Sequence, residues 1–404
     1  MTEPRRITLL NPHADDFVKT PVSFWLARRR GLRKYAYLID EPVKHGQRVD
    51  ILIDGTLSSL CGQDWFTMLP RFLRLLVLKI EIPVWIAING LEGKVAVHWS
   101  PETIAGRDAL YVFSYKNCVG AFAQRKQAID AFPLKLVNLS HYFIRTGEKA
   151  RNISSLRGVT LVAEADMTSN PYYKHYFPNQ PLCVVPFAVS ERFATVKSLA
   201  VRAGICAATG SFHNLLDEKP RSYYDEFINF FGLDTYHPVR KLLFQHRNEL
   251  AGRFDIQVSF YREKSSSSEL MAKLFSFFGL DIAQTEYFSF DIVDFYCDHK
   301  FAIVGEEASG LPAIGFFEAM ACGCVMLGQQ GHFYDGIGLT PGVHYLAHDG
   351  TIENIRALID GALADPERLE AISEAGKKYI SDHCLGPAVW DNLQHRLSGA
   401  AAAS

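Results

Sequence analysis

The sequence predicts an α/β fold of two Rossmann-like domains, each a parallel sheet covered by helices. Three observations predict it. Short, near-continuous apolar runs read as strands buried on both faces. Helix-length stretches separate many of them, as in βαβ units. The chain has 404 residues, more than one ordinary hydrophobic core holds, so two domains on the order of 200 residues each are expected.

The first series of strands reads as Ile7–Leu10, Val49–Ile53, Val84–Ile88, Leu110–Phe113, Leu134–Leu139 and Val159–Ala163, with a helix over Ala121–Ala131. The stretch Leu182–Phe193 is a strand running into a proline-punctuated turn at Pro186, and marks the boundary. A second series follows: strands Gly204–Thr209, Asp255–Phe260, Phe301–Val304 and Cys324–Leu327, and helices Ser222–Phe231, Ser268–Phe278 and Gly315–Ala321. From Thr351 to His383 the pattern is helical, broken at Asp365-Pro366. The expected division is residues 1–185, residues 186–382, and a terminal helix or tail, 383–404, packing back on the first domain. Open α/β sheets bind ligands at strand carboxyl ends, so a cleft between the domains is the expected site.

Hydrophobic residues make up 48 % and charged residues 21 %, which excludes a disordered chain. Lys+Arg is 42 and Asp+Glu is 44, so a whole-chain electrostatic grip on nucleic acid is not expected. The eight cysteines include no C-x-x-C pair, which argues against zinc and for reduced, cytoplasmic thiols. The apolar run near the start is too short for a secretory segment, and no run of about 18 apolar residues suggests a membrane span. The stretch Trp65–Ile82 reads first as a core helix, and the basic group Arg28–Arg30 with Arg33 and Lys34 as a solvated face. The sharper alternative for both is peripheral contact with the cytoplasmic face of an anionic membrane.

Chemistry concentrates in Lys300–Gly328: a strand, a Gly/Ser/Pro loop with carboxylates, a helix, a tight glycine turn and another strand. Amides at Ser309, Gly310 and the start of the Gly315 helix are suited to a diphosphate, because a helix N-terminus offers unpaired N–H groups. Glu318 is suited to ribose hydroxyls, and Glu306 or Glu307 to those of a sugar. The bland reading is an ordinary α/β unit whose glutamates face water.

Glu318-Ala319-Met320-Ala321-Cys322-Gly323-Cys324-Val325 resembles the donor-binding signature of GT-B glycosyltransferases, particularly family 4 (group 1) and its spore-coat-protein-like relatives. Glu307-Ala308-Ser309-Gly310-Leu311-Pro312 resembles the first half of that site. Glu307 and Glu318 stand eleven apart where the family has eight, so three extra residues within Ala313–Phe317 must be absorbed before the helix. Val185–Phe193 resembles the family's interdomain segment, Leu136–His141 its strand-then-His segment, and Val159–Glu164 the strand that follows. Ala208–Phe212 with Lys219 resembles the phosphate loop opening the second domain. Ser211 stands where that loop has Arg, which directs the missing cation elsewhere, with Arg221 as the candidate. Gly342–Leu346 and Ile352–Asp365 resemble the last strand and helix. The similarity runs from about residue 134 to 384 and is poor before it.

The resemblance implies a GT-B enzyme that transfers sugar, with retention, from a nucleotide-sugar donor to a glycan or lipid-linked acceptor in surface polysaccharide or lipopolysaccharide synthesis. It implies donor contacts from Glu318, Ser309, Gly310, Leu311, Gly210, Ser211, Lys219 and Arg221, and catalytic roles for Glu307, His141 and Glu164. No metal or other cofactor is expected, since no Asp-x-Asp motif is present and basic groups can stabilise the leaving diphosphate. Lys300-Phe301, Glu306 and Glu318 also resemble a region of bacterial α1,3-fucosyltransferases, which are inverting GT-B enzymes. A non-catalytic sugar-nucleotide binder and an epimerase of the same fold are further alternatives. Glu164 and Asp166 read as acceptor base or as helix caps, and His237-Pro238 as a turn.

Overall fold

The computed structural model describes residues 6–10, 35–53, 79–80, 82–113, 118–119, 122–140, 142–217, 221–260 and 290–402. Two parallel sheets form its frame. The first contains β1 (Ile7–Leu10), β2 (Val49–Leu52), β3 (Val95–His98), β4 (Ala109–Val112), β5 (Leu134–Asn138), β6 (Val159–Ala163) and β7 (Leu182–Val184), in the order β3-β2-β1-β4-β5-β6-β7. The second contains β8 (Ala203–Phe212), β9 (Phe254–Phe260), β10 (His299–Ile303), β11 (Val325–Gln329) and β12 (Tyr345–His348), in the order β12-β11-β10-β8-β9. Every pairing is parallel, for example Leu9 opposite Tyr111 and Phe301 opposite Cys206.

The apolar runs become strands because both of their faces are covered. Leu10, Leu110, Val112, Val137 and Leu161 enter one core cluster, while Leu9, Tyr111, Leu136 and Val162 enter the cluster on the other face. That alternation is the period of two expected of a pleated strand. In the second sheet Ala207, Ala302 and Met326 face one cluster and Cys206, Ala208, Phe301 and Leu327 the other.

The helices in chain order are α1 (Tyr37–Lys44), α2 (Phe122–Asp130), α3 (Thr146–Ser154), α4 (Pro171–Tyr176), α5 (Asp225–Phe231), α6 (Pro238–Gln245), α7 (Ile292–Asp298), α8 (Ile314–Ala321), α9 (Ile352–Leu363), α10 (Pro366–His383) and α11 (Gly386–Ala402). The break at Asp365-Pro366 separates α9 from α10, and the Asp365 side chain caps α10 by accepting from the Arg368 amide at 3.1 Å. Helix α11 carries Val389, Trp390, Leu393 and Leu397 into the cluster that contains Leu9 and Ile51 of the first sheet.

Two further stretches among the described residues also join the halves. Along 185–193, Val185 and Ala188 bury with the first sheet, and Phe187, Val189 and Phe193 with the second. Beyond β8, Leu215, Phe227 and Tyr236 leave the second sheet for a core cluster of the first. There the Arg145 amide donates to Tyr223 O at 2.9 Å and the Gly147 amide to Glu226 Oε2 at 2.8 Å.

The structure corrects several expectations. Residues 82–88 are helical, not a strand. Ile82 is buried and Trp85 and Ile86 are half-buried, whereas Val84 and Ile88 are exposed. That spacing has helical periodicity, obscured by the β-branched composition. The missed strand is β3, a sheet edge of four residues. The helix expected over Ser222–Phe231 begins as a 3-10 turn, Arg221–Tyr223, before α5. The expected helix Ser268–Phe278, the basic group Arg28–Lys34 and nearly all of Trp65–Ile82 lie outside the described residues. The seven described cysteines are buried.

Candidate functional site

The carboxyl ends of the second sheet meet those of β5 and β6. In the loop after β10, the carbonyl of Ser309 accepts a hydrogen bond from the Tyr142 hydroxyl, just past β5. A Cβ on Gly310 (φ +101°) would lie 2.6 Å from Asn170 Nδ2 and 2.8 Å from Met167 Cε. In the loop after β11, Asp335 O accepts from the Asp166 amide at 2.7 Å.

Helix α8 starts at Ile314, so Ile314–Phe317 of the stretch expected to precede the helix lie inside it. Phe316, Phe317, Ala319 and Met320 bury the helix, and the rings of Phe317 and Phe187 stand 5.4 Å apart. Gly323 ends the turn that follows at φ +82°, where a Cβ would lie 3.0 Å from Thr195 Oγ1 and 3.2 Å from Arg202 Nη2. Glycine is required there by conformation and by space together. Glu318 is half-buried on α8, and burial pushes its carboxyl up to about 7, opposed by the positive charge of Arg192 on the interdomain stretch.

The two glutamates after β10 have different surroundings. Glu306 is 1 % exposed. Its Oε1 accepts from the Gln329 amide at 2.9 Å and from the Tyr334 hydroxyl, while Oε2 has no hydrogen-bond partner. Burial raises its carboxyl above the usual range, with Tyr334, the Gln329 amide and the charge of Arg240 pulling the other way. Glu307 is half-buried, and its Oε2 accepts from Ser309 Oγ at 3.2 Å.

The amide of Gly310 donates to Glu307 O at 2.8 Å, closing a turn. This corrects the expectation that it stands open for a diphosphate. The turn sends Leu311, which is buried, into the cluster of the first sheet, so Ser309, Gly310 and Leu311 are packed against the first half of the chain.

The expected phosphate loop is not a loop at Gly210 and Ser211. Both lie in β8, with Gly210 opposite Val258 and Ser211 opposite Ser259. Arg221 is exposed, its Nε 3.8 Å from Asp225 Oδ1. Lys219 and His141 lie outside the described residues. Among the described residues, Arg240 of α6 reaches the strand ends, and sequence reasoning missed it. It donates from Nε to Gly305 O and from Nη1 to Ser211 O, both at 3.0 Å. The available signals were a proline-started helix and glycines at Gly210 and Gly305.

On the first sheet, Glu164 follows β6 and is buried in a small pocket with Tyr35, Tyr37, Tyr111, Asn138 and Pro186. Tyr35 Oη donates to Asn138 Oδ1 at 3.0 Å, and Asn138 Nδ2 donates to Tyr111 Oη at 3.3 Å. Burial pushes the Tyr37 and Tyr111 hydroxyls well up, and the charge of Glu164 adds to it. Asp166 acts as a cap: its Oδ1 accepts from the Thr168 amide at 2.9 Å. His237 is the buried residue preceding α6. Among the described residues no group of three or more His, Cys, Asp and Glu side chains is arranged to hold a metal ion, and no helix is long and apolar enough to cross a membrane.

Residues 244–388, spanning α8 and the carboxylate loop, match the family model described as glycosyl transferase-like. No curated protein sequence matches the chain. Among solved structures, the sucrose-phosphate synthase of Thermosynechococcus elongatus is 12 % identical over 99 % of this chain and 100 % of its own, with a TM-score of 0.54. Anabaena HepE in complex with UDP is 10 % identical over 98 % of this chain and 100 % of its own, with a TM-score of 0.51. HepE with UDP and glucose gives 12 % identity, the same coverage and a TM-score of 0.50. At such identities the likeness is one of fold, extending over nearly the whole chain. The two facing parallel sheets and that likeness show the fold of the GT-B glycosyltransferases, and residues 244–388 are similar to a glycosyl transferase-like family.

Proposed function

We propose that this protein is a nucleotide-sugar-dependent glycosyltransferase, retaining configuration, whose donor binds at the carboxyl ends of the second sheet. The observation that carries the reading is the half-buried Glu318 on α8 beside the interdomain stretch, within the matched glycosyl transferase-like segment. Glu318 holds the donor ribose through two hydroxyl hydrogen bonds, and Glu307 contacts the sugar. The UDP bound by HepE makes a UDP-sugar the first donor to test. Residues 1–185 form the acceptor side, with Glu164 as acceptor base and His141 near the donor sugar, and residues 186–382 form the donor side. The acceptor is a glycan or a lipid-linked sugar of surface polysaccharide synthesis, reached from the cytoplasm at or near a membrane. Closing the sheets on the donor excludes water and limits its hydrolysis.

Nucleotide release from a panel of UDP-, GDP-, ADP- and CMP-sugars tests this reading. The wild type is expected to consume one of them, and Glu318→Ala to lose most of that turnover. Equal turnover by the variant would overturn the role of Glu318. A second reading, a sugar-nucleotide binder without transfer, is favoured by one observation: the Ser309–Leu311 turn is packed against the first half of the chain. It predicts thermal stabilisation by a nucleotide sugar without nucleotide release.

A further inference from the structure

We propose that Arg240 supplies the positive charge that holds the donor's diphosphate and stabilises it as the leaving group, in place of an arginine at position 211. The proposal rests on the nucleotide-sugar reading above. It is needed because the position after Gly210 is Ser211, and because Arg221 is exposed beside Asp225.

The surroundings of Arg240 are built to admit it. The residue is 8 % exposed and lies in the first turn of α6, which Pro238 starts. Its guanidinium spans the carboxyl ends of two neighbouring strands, bonded to Ser211 O at the end of β8 and to Gly305 O after β10. Both positions are kept clear by glycine. A Cβ on Gly210 would lie 2.7 Å from Arg240 Cδ and Nε, and one on Gly305 would lie 3.2 Å from Arg240 Cγ and from its amide nitrogen. Any larger side chain at Gly210 would displace the guanidinium.

The two carbonyl bonds orient the guanidinium at the strand ends. Its charge reaches Glu306, whose ionised form it favours. The same two strand ends are where ligands of open α/β sheets bind, and the amino end of α6 adds a favourable dipole for an anion. During transfer the bond between the sugar's anomeric carbon and the diphosphate oxygen breaks, and the electron pair stays on that oxygen. The anomeric carbon bonds to the acceptor oxygen, whose proton is released. A fixed guanidinium near the diphosphate lowers the energy of that charge as it develops.

The test measures binding of UDP, GDP and ADP and of the matching nucleosides to the full chain, for wild type, Arg240→Gln and Arg240→Lys. For the diphosphate that the wild type binds, Arg240→Gln is expected to weaken binding by about 10- to 100-fold, the range for lost charge-assisted hydrogen bonds. The matching nucleoside is expected to bind unchanged, and Arg240→Lys to recover part of the loss. Thermal unfolding of each variant separates folding from binding. Equal weakening of diphosphate and nucleoside in a folded variant would make Arg240 a structural tie only and overturn the proposal. Unchanged diphosphate binding would overturn it too. A wild type that binds no nucleoside diphosphate would overturn the nucleotide-sugar reading along with it.

Discussion

Glu318→Gln changes one hydrogen-bonding atom on α8 and removes an ionisation that the fold opposes. Burial raises the carboxyl from its ordinary value of 4.5 to about 7, the charge of Arg192 opposing the rise. Between pH 4.5 and 7 the native state therefore binds more protons than the unfolded chain, so stability falls as pH rises through that window and is flat above it. The full shift corresponds to about 3 kcal/mol, and the partial exposure of Glu318 reduces it to roughly 1–3 kcal/mol. Glu318→Gln keeps the shape and lacks the titration. Its stability relative to wild type is expected to rise by that amount from pH 4.5 to 8 while its donor turnover falls. Urea unfolding of both proteins at intervals across that range measures the difference. A constant difference at every pH, or one that grows towards acid, would refute the reasoning that Glu318 is held against its ionisation.

Gly323→Ala forces a side chain into φ +82° and against Thr195 and Arg202. It is expected to cost about 1–3 kcal/mol, read as a lowered unfolding midpoint. Tyr142→Phe removes the hydrogen bond to Ser309 O that ties the carboxylate loop to the first half of the chain. A loss of about 1 kcal/mol is expected, with faster hydrogen exchange across residues 306–312 by mass spectrometry. Unaltered exchange there would show that the bond does not hold the loop.

The parts of the fold legible in the sequence were those with continuous apolar signals. Runs such as Val159–Ala163 are buried on both faces and bounded by turn residues, so their strand character did not depend on the partner strand. The edge strand β3 was missed because its four residues, Val95–His98, leave a weak pattern. Val84–Ile88 was misread because its β-branched composition outweighed a helical spacing visible only over residues 82–88. At the site, Glu318 and Gly323 were legible because helix, turn and strand are consecutive in the chain. Arg240 was not, because it meets Ser211 and Gly305 through packing of α6 across separate strands. The separate surroundings of Glu306 and Glu307 were hidden for another reason: neighbouring glutamates are interchangeable until Gln329, Tyr334 and Ser309 are placed around them.

The central claim is that the carboxyl ends of the second sheet bind and use a sugar nucleotide. It is tested most directly by nucleotide release from the donor panel with wild type and Glu318→Ala side by side. Release from one donor by wild type is expected, with loss of most of it in a variant that still folds. Release at the wild-type rate by Glu318→Ala, or no release from any donor by wild type, would contradict it.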